Sequence, residues 1–482
     1  MKQRTILLVA AASLALAACA TNPVTGKTEL SLIPEAQEIE IGREEAGKVV
    51  ATIGLVQEPE LQKYVSDLGM AIAKESERPK LPWSFQVLDD PAVNAFALPA
   101  GFIFVTRGIL TYMTSEAELA SVLGHEIGHV TAKHSVSQIS KAQLATIGLG
   151  LGTVLYPEMQ KYGLDQLAGA GLGLLFLKFG RDDERQSDKL GFDYMLRRGY
   201  DPREMASMFR TLERYGTNTG ASGVPEWAST HPAPENRVAV TMERVAKLPP
   251  TVSGLSIGRD ALMRQLDGLA FGENPRHGYF AGRRFNHPEF EFMLEFPANW
   301  KFQNRPDAVV AVSPNGDAMI ALDAAGKEAP RSAGEKFVSQ QGITRGTVIE
   351  ERINGLDAWR SYFKAATQQG ELGGLASFVA HGGTTWRIVA VTSGAKLDTL
   401  ANDFNATALS FTRLTDAKAL AVQPAHVSLV RADRDMTVDE FAQRYPSSIP
   451  LETLATMNGL DKGGKILKGQ VVKRVTGGEL PK

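Results

Sequence analysis

From Pro34 to Leu269 the apolar positions of the chain recur mostly at helical spacing. Glu35 to Ile53 and Glu58 to Lys74 alternate apolar and charged residues with the period of an amphipathic helix, and each predicts a helix with one face on a core. Two short runs break that pattern. Trp83 to Asp89 and Gly101 to Arg107 contain Trp-Ser-Phe-Gln-Val-Leu and Phe-Ile-Phe-Val, residue types that suit a pleated surface, and both predict strands. Gly272-Glu273-Asn274-Pro275-Arg276 reads as a linker. Beyond it come short strand-like runs at Phe290 to Phe296, Ala308 to Ser313, Ala318 to Leu322 and Trp386 to Thr392. They alternate with helical stretches at Ser332 to Gln341 and Lys396 to Ser410, which predicts a separate α+β domain over 284–413. Gln423-Pro424 opens a last short module, and no internal repeat is visible at a period of about 20–50 residues. Two glycine-rich apolar stretches, Leu144 to Tyr156 and Leu167 to Phe179, fall short of the roughly 20 residues of a membrane span. They are read as buried or interface-facing helices, with a membrane hairpin as the alternative.

Length and composition narrow the picture. At roughly 150 residues per domain, 482 residues suggest about three domains. A formal net charge of -2 lacks the basic excess of a nucleic-acid binder. Cys19 is the only cysteine, so no intrachain disulfide forms. The N-terminus carries Lys2 and Arg4, then an apolar run from Thr5 to Ala18 that ends in Leu16-Ala17-Ala18-Cys19. Such a run is too short to span a bilayer and looks like a bacterial lipoprotein signal over 1–19, with Cys19 as the lipidated residue; a plain secretory signal is the alternative. Ala20 after the cysteine resembles the sorting pattern of outer-membrane lipoproteins. A polar tether, Thr21-Asn22-Pro23-Val24-Thr25-Gly26, follows.

The chemistry concentrates in two segments. Ser115 with Glu118 predicts a capping box, and the helix that follows carries His125-Glu126-Ile-Gly-His129. Residues four apart share a helix face about one turn along, so His125 and His129 can aim ring nitrogens at one zinc ion. Glu126, one residue round, sits beside the metal and can take a proton from water. Catalytic zinc needs a third protein ligand and one open position. Glu184 and Asp188 are again four apart; one carboxylate can ligate and the other can accept the second N–H of a ligand histidine. His231, held between Thr230 and Pro232, is positioned by a constrained backbone. It can donate to an oxyanion or occupy the open metal position, and Arg237 can hold it or a substrate carbonyl. His134 lies about 180° round the helix from His125 and is read as structural.

These segments resemble the HtpX/BepA-type zinc metalloprotease family over about residues 22–270. The resemblance rests on His125/Glu126/His129, on Glu184/Asp188, on Asn94-Ala95-Phe96-Ala97-Leu98-Pro99-Ala100-Gly101 and on Thr230-His231-Pro232 with Arg237. The tether at 21–26 is similar to that of the family's lipoprotein branch. The family implies one zinc per chain on His125, His129 and Glu184, Glu126 as catalytic base, His231 as a second catalytic group, and Asp188 and Arg237 as outer partners. It also implies an edge strand at Asn94, Ala95, Phe96 and Ala97 to which an extended polypeptide substrate adds. One departure stands out: the family often has Glu-x-Glu-Ala-Asp where this chain has Glu184-Arg-Gln186-Ser-Asp188.

Phe296-Pro297 with Trp300 resembles small α+β domains of the PsbP type, and 284–413 holds no cluster of catalytic residues. Residues 424–476 resemble a LysM module, with a strand at Val427 to Val430, helices at Val438 to Tyr445 and Leu451 to Met457, and a close at Leu467 to Gln470. LysM modules bind glycans such as peptidoglycan. Here Arg434-Asp435-Met436-Thr437 replaces the usual Gly-Asp-Thr turn, which leaves glycan binding and a purely structural module both open. The expected architecture is α+β and multidomain: a mainly helical zincin-type peptidase domain over 20–272 with a small edge-strand sheet, the α+β domain, and a LysM-like βααβ module. The expected function is a zinc endopeptidase at the periplasmic face of the outer membrane, lipid-anchored, acting on unfolded or misassembled envelope proteins. The alternative is a lipoprotein scaffold or assembly factor for outer-membrane proteins with little or regulated proteolysis.

Overall fold

Apolar periodicity in the first half of the chain resolves into helices laid around one small sheet. The computed structural model describes residues 19–30, 32–149, 179–218, 227, 231, 236–367 and 370–481. Residues 1–18, Thr230, Pro232 and all of the glycine-rich stretches except the end of one helix and Phe179 lie outside them. Two compact units form, one from the residues up to Gly272 together with His426–Thr476, the other from Glu273–Ala425 with Gly477–Lys482.

The first unit opens with a hairpin, β1 (Cys19–Thr21) paired with β2 (Thr28–Leu30). Helices α1 (Glu35–Ile53) and α2 (Pro59–Ala73) follow on the two predicted stretches, and Pro59 stands at a first turn where its missing N–H costs nothing. Strands β3 (Ser84–Leu88), β4 (Ala95–Leu98) and β5 (Phe102–Thr106) form a sheet in the order β3-β5-β4, with β4 antiparallel at an edge. Ala46 and Val49 of α1 pack on Leu88, Phe96, Leu98 and Phe104 of that sheet. Next come α3 (Arg107–Tyr112), α4 (Glu116–Thr131), α5 (His134–Leu149), α6 (Arg181–Arg197), α7 (Arg203–Asn218), α8 (Arg237–Ala246), α9 (Arg259–Leu266) and β6 (Ala270–Phe271).

Helix α4 is the centre of this unit. Every residue from Ala117 to Thr131 is buried, as expected of a helix walled in on all sides. Its N-terminus differs from the predicted capping box in one half. Ser115 Oγ accepts from Glu118 N, but the Glu118 carboxylate accepts from Thr114 N and Oγ1 in place of Ser115 N, and the Ser115 hydroxyl donates to Glu204 at 2.6 Å.

The second unit is a β-rich body. Strands β7 (Tyr279–Ala281), β8 (Arg284–His287) and β9 (Phe292–Glu295) make a small sheet, joined later by β17. The large sheet comprises β10 (Lys301–Asn304), β11 (Val309–Val312), β12 (Ala318–Gly326), β13 (Ile343–Ile353), β14 (Leu356–Thr367), β15 (Gly370–His381) and β16 (Thr384–Ser393), ordered β10-β11-β12-β16-β15-β14-β13. Helix α10 (Pro330–Val338) crosses between β12 and β13, and α11 (Leu397–Ser410) precedes β17 (Thr412–Arg413) and the single turn α12 (Ala417–Leu420). Phe285, Phe292, Phe296, Trp386, Phe404 and Phe411 anchor its core.

The chain then returns to the first unit. Strand β18 (Ala425–Arg431) lies between β6 and the last strand, β21 (Val471–Gly477), in one sheet. Between them are β19 (Met436–Thr437), α13 (Val438–Arg444), α14 (Leu451–Met457) and β20 (Lys465–Ile466). Lys473 on β21 is fully buried and donates to the carbonyls of Thr111 (2.7 Å) and Met113 at the end of α3. Burial drives its ammonium down to about 7, against the attraction of the buried Glu118. Among the described residues no helix is long and apolar enough to cross a membrane.

Candidate metal centre

The site forms where α4 and α6 come unusually close. A Cβ on Gly191 would sit 2.9 Å from His125 N, and one on Gly128 would sit 3.0 Å from Ser187 Cα. Small residues on both helices therefore let the backbones touch, and the long side chains of one reach those of the other. The i, i+4 pairs predicted on each helix meet across this contact.

His125, His129, Glu184 and His231 each offer a ligand atom, all within 4.8 Å of one another, and all four residues are buried. His125 Nε2 lies 3.0 Å from His129 Nε2 and 3.3 Å from His231 Nδ1. Glu184 Oε1 lies 3.4 Å from His129 Nε2 and 3.0 Å from His231 Nδ1. Three imidazoles and a carboxylate packed this closely in a dry interior present converging lone pairs, which is unfavourable unless a cation or protons lie between them. The donor set, nitrogen with one carboxylate oxygen, suits a single zinc ion. Glu126 stands just outside the set, its Oε1 3.6 Å from His231 Nε2.

The surroundings tune each group. Burial pushes the Glu126 carboxyl above the usual carboxylate range, with the charges of His231 and His125 opposing. Burial works against charge on Glu184 too, but hydrogen bonds from His125, His129 and His231 win and hold it far below that range. Burial pushes His129 well below its ordinary value. For His125 burial is outweighed by the Asp188 and Glu184 carboxylates, and the ring rises to about 9. Asp188 Oδ1 lies 3.0 Å from His125 Nδ1, and Arg237 grips the same carboxylate with Nε (2.8 Å) and Nη2. Arg237 in turn lies over the rings of Phe209 and Trp227, at 4.1 and 4.6 Å from their centroids.

Thus the structure brings together His125, Glu126, His129, Glu184, Asp188, His231 and Arg237, which the sequence singles out. It places Ala95 to Ala97 on the edge strand β4, with Asn94 just before it and buried. Sequence reading missed the aromatic walls. Phe179 lies 4.0 Å from His129 ring to ring, and Trp227 stacks on His231 at 5.1 Å and 21°. The signal for Trp227 was its place four residues before His231. His134, read only as structural, touches the site: α4 ends before it, and its ring meets that of His129.

Residues 59–245 match peptidase family M48. The beta-barrel assembly-enhancing protease of Escherichia coli K12 is 30% identical over 242 residues, 48% of this chain and 48% of that protein. The mitochondrial metalloendopeptidase OMA1 of Arabidopsis thaliana is 34% identical over 179 residues, 37% of this chain and 34% of its own length. The chain thus spans about half the length of the assembly-enhancing protease. A cyanobacterial PsbP structure from Synechocystis covers 27% of this chain and 91% of itself at 15% identity and a TM-score of 0.24, too slight a likeness to carry a conclusion. The buried His125/His129/Glu184/His231 group, within the segment that matches peptidase family M48, is consistent with one zinc site.

Proposed function

We propose that this protein is a zinc-dependent endopeptidase of the bacterial cell envelope that degrades unfolded or misassembled envelope proteins. One observation carries the reading: the buried donors of His125, His129 and Glu184 converge beside Glu126, whose carboxyl burial holds above its usual range. His125, His129 and Glu184 would hold the zinc. When bound there, zinc supplies Lewis acidity toward water and the scissile carbonyl. Glu126 takes the proton of the attacking water and delivers it to the leaving amine, work that suits a carboxylate made more basic by burial. Asp188, fastened by Arg237, holds the His125 ring in the tautomer that leaves Nε2 free to ligate. An extended substrate adds to β4 along Asn94, Ala95, Phe96 and Ala97, which fits that strand's edge position.

His231 has two possible roles, and its position among the other donors favours the resting-state one. Its Nδ1 completes a set of four, whereas a working site keeps one position open. His231 therefore closes the site until substrate displaces it. The remaining parts of the reading rest on sequence resemblance: lipidation at Cys19, the periplasmic face of the outer membrane, an accessory α+β domain at 284–413, and a LysM-like module at 424–476 for peptidoglycan. The printed name of the Escherichia coli relative, a beta-barrel assembly-enhancing protease, supports the envelope setting and also the second reading, an assembly factor with regulated proteolysis. The test is casein cleavage by protein starting at Ala20. Cleavage is expected to stop with a chelator, return with zinc, and speed up in His231→Ala. A slower His231→Ala would make the ring an oxyanion donor instead. Absent cleavage in both proteins, with no zinc taken up, would favour the scaffold, and chelator-insensitive cleavage would overturn the zinc mechanism.

A further inference from the structure

The two ligand histidines of the zinc site are held from behind in different ways, and the second way involves residues given no role so far. His125 leans on a carboxylate, Asp188. Among the described residues, His129 has an imidazole and not a carboxylate at its back. Helix α4 ends at Thr131, and Lys133 takes a left-handed turn at φ 59°. The buried side chain of Asn22 fastens this turn by donating to Ala132 O at 3.1 Å. The chain reverses, α5 starts at His134, and the His134 ring folds back against the zinc helix.

The contacts there leave one consistent placement of protons. With zinc held at His129 Nε2, which faces the other donors, that atom keeps its lone pair and the ring proton is on Nδ1. His129 Nδ1 lies 2.9 Å from His134 Nδ1, which must therefore accept. The proton of His134 is then on Nε2, and Nε2 lies 3.0 Å from Gln186 Oε1, an acceptor. The Ser187 hydroxyl, 3.4 Å from His134 Nδ1, can add a second donation, and Asp183 Oδ1 lies farther off at 3.7 Å from Nε2. No member of this chain of donation carries charge. Gln186 and Ser187 are also the two positions where the sequence departs from the family's Glu-x-Glu-Ala-Asp pattern.

We propose that His134 and Gln186 are positioning residues for the zinc ligand His129: a neutral relay that fixes its tautomer and ring orientation, opposite the charged Asp188–Arg237 support of His125. This deepens the zinc reading above and rests on it. A partner behind a ligand histidine raises metal affinity by roughly 10–100-fold.

The experiment is zinc affinity by competition with a chromophoric chelator, on the Ala20 protein and on variants whose melting curves are also recorded. His134→Phe keeps a ring but no acceptor and is expected to weaken zinc by roughly 10–100-fold. His134→Asn returns an acceptor near the Nδ1 position and is expected to recover most of that loss. Gln186→Leu, a half-buried change on the outer side of α6, is expected to weaken zinc by a smaller factor and Gln186→Glu to restore it. Equal affinity in His134→Phe and His134→Asn, whether both unchanged or both reduced, overturns the relay and leaves His134 as packing. If His134→Phe fails to fold, the Gln186 pair decides: equal affinity in Leu and Glu overturns it. Wild-type protein that takes up no zinc overturns the zinc reading itself, which is a different failure from wild-type affinity in every variant.

Discussion

Buried histidines occur in both units, and they differ in what surrounds them. His125, His129 and His231 in the first unit face one another, a carboxylate and a string of polar partners. His287 in the second unit is packed among the rings of Phe290, Phe292 and Trp386, at 4.6, 5.2 and 6.3 Å. Its polar contact is a 3.3 Å hydrogen bond accepted at Nδ1 from Phe290 N. Burial alone therefore says nothing about function. Convergence of lone pairs at one point is what marks a metal centre, and an imidazole surrounded by carbon is core.

That contrast can be broken or sharpened by substitution. The largest effect is expected at Glu126. Glu126→Gln should lower casein cleavage by roughly 10²–10⁴-fold, the range for losing a general base, with zinc retained. His287→Phe should leave cleavage unchanged; a comparable loss there would erase the distinction between the two regions. Lys473→Ala comes next. Lys473 donates to two buried backbone carbonyls, and its removal leaves both without that donor, so a loss of roughly 1–3 kcal/mol in urea unfolding is expected. An unchanged midpoint would mean that this contact adds nothing to the stability of the first unit. The smallest effect concerns acid. Burial, then the charge of His277, lowers His287 to about 3 in the folded chain, against about 6.5 in an unfolded one. Between these values the unfolded chain holds a proton that the folded one lacks, so stability falls as pH drops from about 6.5 toward 3. At pH 5 the loss is about 2 kcal/mol, to be read from faster hydrogen exchange of the β8 and β9 amides, and absent in His287→Phe.

How much of this was legible in the sequence follows from range. His125, Glu126 and His129 are a local pattern on one helix, so spacing revealed them; Glu184 and Asp188 share that spacing but read as a solvated charged face until the histidine motif calls for a third ligand. Strands β3 and β5 and helices α1, α2, α4 and α11 also follow local patterning, whereas β4 was expected only from the family resemblance. The neighbour of His129 did not, because helical counting sends His134 to the far side and cannot foresee the left-handed Lys133 that turns it back. The strands β13, β14 and β15 were missed for a related reason. β13 is an edge strand with residues such as Arg345, Gly346 and Thr347 exposed, so its alternation is lost. In β15, Gly374 reads as a turn residue, yet a Cβ there would sit 2.4 Å from Ala390 O. Its glycine serves close packing across the sheet. Lys473, in a run of Val-Lys-Arg, gave no sign of burial, since its partners Thr111 and Met113 lie some 360 positions away.

The most direct test is zinc content by elemental analysis of the purified Ala20 protein beside His129→Ala and His287→Ala. About one zinc per chain in the wild type and in His287→Ala, with none in His129→Ala, is the expected result. Zinc retained in His129→Ala, or lost in His287→Ala, would contradict the assignment of the metal to the cluster between α4 and α6.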